Sequence, residues 1–288
     1  MIGIFDSGSG GLSVLREILR ILPKEKYVYY SDNANCPYGE KSVEFIRNRA
    51  REITRLLISK GAQIIVVACN TATAAAISVL REEFPVKFIG MEPAVKPAAL
   101  SSKTGVIGVL ATAGTLKASR YLNIKEMFGD GTKIAEHVGE GFVELVENGI
   151  LDGPEAEETV RKSVLPLVAA GADRIVLGCT HYPFLRKVIE RVAGPGVQVI
   201  DPAPAVARHL AEVMKQEGLL DHEYADVPAA EEPAPAGHGA AGQAAGEPEA
   251  AHPAAEIELI ASGPELPARR LLDTIISGHA GRQTATKA

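Results

Sequence analysis

The sequence predicts an α/β fold built on parallel sheets, and two observations carry that expectation. Short apolar runs at 2–5, 27–30, 64–68, 86–89, 106–110, 133–135, 174–177, 197–200 and 257–261 are each followed by a helical pattern, the alternation of strands and covering helices that marks a parallel sheet. Two of these runs, 64–69 and 174–179, lie 110 residues apart and share one design: a short β-branched run ending in a cysteine, Cys69 or Cys179, then small hydroxyl or amide residues and a helix.

Helix signals justify several elements directly. After the second run, Ser42 is placed to cap a helix whose Val43, Ile46, Ala50, Ile53 and Leu57 fall at spacings of three and four, with Gly61 ending it. Another helix opens with Pro154 in its first turn and stops at Gly171, and Pro23 closes the first helix.

Composition narrows the class. The 288 residues are 46% hydrophobic and 23% charged with a net charge of -6, which argues against general binding to nucleic acid or anionic membrane. No apolar run approaches the roughly 20 residues of a spanning helix. Met1 to Asp6 carries no basic leader, so the cytoplasm is the expected location. Three cysteines are too few and too dispersed for a disulfide framework.

The segment 221–255 stands apart. It holds seven acidic residues and no Lys or Arg, with 13 Ala, 5 Pro and 4 Gly, and its only large apolar side chains are Tyr224 and Val227. It cannot repay the entropy of ordering and is expected to be a disordered insertion.

In parallel sheets ligands gather at the carboxyl ends of strands, where helix N-termini aim N–H groups at anions. The first strand ends in Asp6-Ser7-Gly8-Ser9-Gly10-Gly11, whose spacing fits neither a dinucleotide fingerprint nor a phosphate loop. Asp6 there is placed either to accept a proton or bind an ammonium group, or to cap the following helix. Cys69 and Cys179, each at a helix start, are expected to be usable bases, because the partial positive charge favours thiolate. Two thiols facing across a cleft suit stereoinversion: one removes a proton from carbon while the other delivers a proton to the opposite face. Zinc bound by Cys69, Cys179 and His181 is the rival, but no CxxC pair or spaced Cys/His set supports it, and no metal is expected. Cys36, in a turn-rich loop without a partner segment, is expected to be a packing or surface thiol, while Tyr38 and exposed backbone beside it face a polar ligand. Thr112, Gly114 and Thr115 form another loop at the same rim, where helix capping explains the hydroxyls equally well.

With these residues in view the chain resembles the cofactor-independent aspartate/glutamate racemase family, most of all its glutamate-specific members. The resemblance runs from residue 2 to about 220, weakly again at 257–278, and rests on Phe5-Asp6-Ser7-Gly8 with Gly10-Gly11-Leu12, Pro37-Tyr38-Gly39, Cys69-Asn70-Thr71-Ala72, the 142–147 segment ending in Glu147, and Gly178-Cys179-Thr180-His181-Tyr182-Pro183. It implies two pseudo-symmetric α/β domains, each a mostly parallel sheet flanked by helices, with the active site in the cleft between them. One domain would comprise 1–92 with 204–220 and 256–288, the other 93–203. It implies that Cys69 and Cys179 exchange protons with glutamate, that Asp6 supports Cys69 and His181 supports Cys179, and that Glu147 is a further acid near the second thiol. Ser7, Tyr38, Gly39, Asn70, Thr71, Thr112, Thr115 and Thr180, with Asp6 and His181, would hold the substrate. No cofactor is implied, the partner is the small molecule alone, and a homodimer is the one assembly the reading admits.

Two departures from the family pattern are Asn33, where the usual loop has Thr, and the acidic insertion. The resemblance implies D-glutamate supply for peptidoglycan; the rivals are aspartate racemisation, differing in accepted side-chain length, and a gyrase-inhibitor-like protein-binding role that would depend on the acidic segment.

Overall fold

The computed structural model describes residues 1–128, 131–220 and 255–284. The acidic segment at 221–254 therefore lies outside the described residues.

Among the described residues nine strands form two all-parallel sheets. In the first, β4 (Lys87–Ile89), β3 (Ile64–Val67), β1 (Ile2–Asp6), β2 (Lys26–Ser31) and β9 (Glu256–Ala261) lie side by side in that order. In the second the order is β6 (Lys133–Val138), β5 (Val106–Ala111), β7 (Arg174–Gly178) and β8 (Gln198–Ile200). Read from the other edge, β8-β7-β5-β6 repeats β4-β3-β1-β2 four strands later in the chain, with β9 added beyond β2. The central strands β1 and β3 are buried on both faces, which is why they read as continuous apolar runs rather than alternating ones.

Each strand is followed by helix, as the sequence predicts. In the first sheet β1 leads to α1 (Leu12–Ile21), β2 to α2 (Val43–Ser59), β3 to α3 (Asn70–Glu83), β4 to α4 (Val95–Ser101) and β9 to α11 (Leu266–Thr284). In the second, β5 leads to α5 (Ala113–Lys117) and α6 (Ser119–Phe128), β6 to α7 (Phe142–Glu147) and α8 (Pro154–Ala169), β7 to α9 (Arg186–Ala193) and β8 to α10 (Ala203–Gln216). The Ser42 hydroxyl caps α2 by accepting from the Phe45 amide at 3.2 Å. Gly61 and Gly171 take positive φ just beyond α2 and α8, where only glycine is unstrained.

A layer of core joins the two sheets. Side chains from α1 and β1 (Leu12, Leu15, Ile18, Ile4) belong to one buried cluster with Phe142, Tyr182, Leu185 and Leu210 from the other half and from α10. Separate clusters fill the outer faces, under α2 and α3 on one side and α4 and α6 on the other. No helix among the described residues is long and apolar enough to cross a membrane.

Candidate active site

The β1–α1 loop supplies the first wall. Asp6, at the end of β1, is fully buried; its Oδ2 accepts from the Gly11 amide at 2.7 Å and from the Thr180 hydroxyl of the other half at 3.4 Å. Asp6 thus ties down the loop that leads into α1 and reaches the other half, without lining the cavity between the thiols. Burial pushes its carboxyl above the ordinary range, against the charge of His181 and the bonds from Gly11, Cys69 and Ser7 that pull it down. Cys69 caps α3, its sulfur accepting from the Ala72 amide at 3.5 Å and lying 3.7 Å from the Ser7 hydroxyl.

The second wall follows β7. Cys179 Sγ lies 3.8 Å from His181 Nδ1, and His181 Nε2 lies 2.7 Å from Glu147 Oε1. Glu147 also accepts from the Ser9 amide at 2.7 Å and the Ser9 hydroxyl at 3.0 Å, across the boundary between halves. This close approach explains two glycines: a Cβ at Gly8 would strike the Glu147 carboxylate and one at Gly10 the His181 ring. Burial opposes charge on His181, but contacts with Cys179, Cys36 and Glu147 outweigh it and hold the ring well above its usual pKa.

The register makes the two walls equivalent. Phe5 pairs with Val67 and Leu110 with Leu177, and each thiol lies two residues beyond the second member. Ser7 and Thr112 therefore hold matching places, as do Asn70 and Thr180. Cys69 and Cys179 line one cavity with Ser7, Asn70, Thr71, Thr180 and His181. Tyr38, Gly39 and Thr112 border it on the rim side. Its volume is about 10 Å³, room for one water. Thr71 joins the halves through its hydroxyl, 3.1 Å from that of Thr112 and 3.2 Å from that of Thr115. Both amide atoms of buried Asn70 are without a hydrogen-bond partner among the described residues.

Several expectations need correction. Cys179 does not start an α-helix: a 3-10 turn at Tyr182–Leu185 separates it from α9. Cys69 does start one, yet burial, and then the Asp6 charge, push its thiol well above the usual range, so the helix terminus does not win. The Tyr38 hydroxyl is not free for a ligand; it donates to Asp32 at 2.6 Å. Thr112 is a helix cap, accepting from the Thr115 amide at 3.3 Å, as well as a wall residue. Cys36 packs against the core, as expected, but it also faces His181 and Glu147: donor atoms of these three lie within 4.8 Å of one another. That trio, rather than Cys69, Cys179 and His181, is the group with metal-ligand spacing among the described residues. Within it the Glu147 carboxylate already accepts from the Ser9 amide and hydroxyl and lies 2.7 Å from the His181 ring.

Comparison with known proteins places the chain in a family. Residues 2–210 match the family model described as Asp/Glu/hydantoin racemase. The chain belongs to that family. Over 224 residues, 78% of this racemase and 83% of the relative, it is 50% identical to the glutamate racemase of Methylococcus capsulatus, and it is 45% identical over 228 residues to that of Pseudomonas aeruginosa. Among solved structures, a glutamate racemase isoform from Bacillus anthracis superposes with a TM-score of 0.77 at 30% identity, covering 96% of this chain and 94% of that one. The Escherichia coli glutamate racemase, in complex with L-glutamate and the activator UDP-MurNAc-Ala, gives 0.74 at 31% identity, covering 96% and 94%. The racemase fold expected from the sequence, two parallel sheets flanked by helices in two related halves, is the fold of these relatives.

Proposed function

We propose that this racemase interconverts L- and D-glutamate, with Cys69 and Cys179 as the two acid/base groups and the D-enantiomer serving peptidoglycan synthesis. The observation that carries the mechanism is the placement of the thiols at equivalent strand ends on a single cavity. One thiolate takes the Cα proton onto sulfur, and the thiol opposite gives its proton to the other face of the same carbon. The configuration inverts, and the reverse reaction starts with the roles exchanged.

The remaining residues fit that chemistry. The N-terminus of α3 and the unpartnered Asn70 amide offer donors to a carboxylate. Asp6 lies beside Cys69, where its carboxylate would accept an ammonium group or a migrating proton. His181, backed by Glu147, stands beside Cys179 as a proton relay. A 10 Å³ cavity is too small for glutamate, so admission requires the halves to separate and catalysis follows their closure. The glutamate racemases named above support the substrate assignment.

Circular dichroism of L-glutamate, D-glutamate and both aspartate enantiomers incubated with the enzyme tests the reading. Loss of optical activity with glutamate and not aspartate is expected, with Cα deuterium incorporation in D2O. Racemisation of aspartate in preference to glutamate overturns the substrate, and racemisation without solvent deuterium overturns proton abstraction. The protein-binding alternative depends on 221–255, of which 221–254 lie outside the described residues.

A further inference from the structure

The loop carrying Tyr38 and Gly39 is anchored at two places that the catalytic reading leaves unexplained. The first anchor is Asp32, fully buried at the end of β2. Its carboxylate accepts from Arg49 of α2 through Nε at 3.0 Å and Nη2 at 2.7 Å, from the Tyr38 hydroxyl at 2.6 Å, and from the Asn35 amide at 3.0 and 3.2 Å. The fork of a guanidinium meeting both carboxylate oxygens fixes direction as well as distance.

The second anchor is Asn33. Its Oδ1 accepts from the Gly263 amide at 2.8 Å and its Nδ2 donates to the Pro264 carbonyl, while the Ala34 amide donates to the Ser262 hydroxyl at 3.1 Å. The loop after β9 therefore grips the start of the cleft loop some 230 residues earlier. Beyond both anchors the loop crosses to the other half. A Cβ at Gly39 would lie 3.1 Å from Thr112 Cβ, and one at Gly114 only 3.0 Å from the Gly39 carbonyl oxygen.

We propose that Arg49 and Asn33 are positioning residues, which through Asp32 and the 262–264 loop hold residues 37–39 against Thr112 and so set how firmly the closed cleft retains its substrate. The Tyr38 hydroxyl serves this clamp rather than the ligand. Releasing an anchor lowers the population of closed loop, and apparent affinity falls by that fraction while the chemistry in the closed complex is unaltered.

The kinetic arm of the test rests on the glutamate reading. Arg49→Met, Asn33→Ala and Tyr38→Phe are each expected to raise KM for both glutamate enantiomers about fivefold or more, with kcat within about twofold. Adding Tyr38→Phe to Arg49→Met is expected to change KM less than Tyr38→Phe does alone, because both act through Asp32. Arg49→Lys, which keeps the charge but loses the fork, is expected to restore only part of the affinity. Hydrogen exchange reads the clamp independently: amides at 36–41 are expected to exchange faster in the variants while those of β1 and β3 do not. If Arg49→Met does not fold, Asn33→Ala and Tyr38→Phe decide the matter. Lower kcat at unchanged KM, or unchanged exchange at 36–41, overturns the proposal. Failure of the wild-type enzyme to racemise glutamate would instead defeat the substrate reading and leave the exchange result to judge the clamp.

Discussion

His181 Nε2 lies 2.7 Å from Glu147 Oε1, with the opposite ring nitrogen 3.8 Å from the Cys179 sulfur. The imidazole is thus pinned from behind by a carboxylate that itself belongs to the boundary between the halves, through Ser9. One contact holds the ring beside Cys179 and ties the two halves together.

That contact has a pH signature. Burial works against the Glu147 carboxylate, but His181 and Ser9 bring its pKa below the usual 4.5, while His181 is held above 6.5. A depressed acid stabilises the fold above its unfolded pKa and loses that contribution as pH falls. A raised base stabilises below its unfolded pKa and loses it as pH rises. The pair is therefore fully effective between those two values. Glu147→Gln is expected to cost about 2 kcal/mol in that window, the range of a hydrogen bond to a charged group, and less in alkali. Thermal melts of both proteins across pH check this.

Cys69→Ala and Cys179→Ala should each lower racemisation by about 10³-fold or more, the scale of positioned acid/base catalysis, with far-UV circular dichroism unchanged. Substantial turnover by either variant would sink the two-thiol mechanism.

Asn70 should show opposite effects on stability and function. Its amide is buried without a hydrogen-bond partner among the described residues, so Asn70→Ala is expected to leave the unliganded protein as stable or up to about 1 kcal/mol more so. KM should rise about tenfold or more. Melting curves with and without glutamate measure both; a large loss of stability without ligand would show that Asn70 is structural.

Asp6 and His181 should divide labour by side. Asp6→Asn is expected to impair abstraction by Cys69 more than by Cys179, and His181→Asn the reverse. The equilibrium constant of a racemase is one, so the ratio of kcat/KM in the two directions cannot change. The asymmetry should appear as unequal isotope effects with α-deuterated L- and D-glutamate. Asp6 also accepts from Thr180 on the far wall, so its asymmetry should be the smaller. Equal isotope effects from both enantiomers in both variants would refute the division.

The parts legible in the sequence are those with local signals. All nine strands follow from short apolar runs bounded by turns, the α2 cap from Ser42, and the paired walls from two similar cysteine segments. What escaped the sequence lies in long-range pairing. Nothing near Cys36 shows that its thiol meets His181, and nothing near Asn33 shows that it bonds to Gly263 and Pro264. The placement of β9 beside β2 has no local code either. The state of Cys69 escaped for a different reason: the helix terminus is visible in sequence, but burial, which outweighs it, is a property of the folded whole.

The repeated strand order has a consequence for how such a catalyst can change. A reaction between mirror images asks the protein to present like chemistry to both faces of one carbon, and two halves of the same topology do so by construction. Yet the surroundings have diverged: a serine and an aspartate attend one sulfur, a histidine backed by a glutamate the other. The symmetry is of position and not of composition. With the two thiols as the proposed acid/base pair, each proton transfer would have its own barrier, which substitutions in one half would raise or lower separately, while the requirement of equal overall efficiency in both directions would bind the two halves to a common outcome.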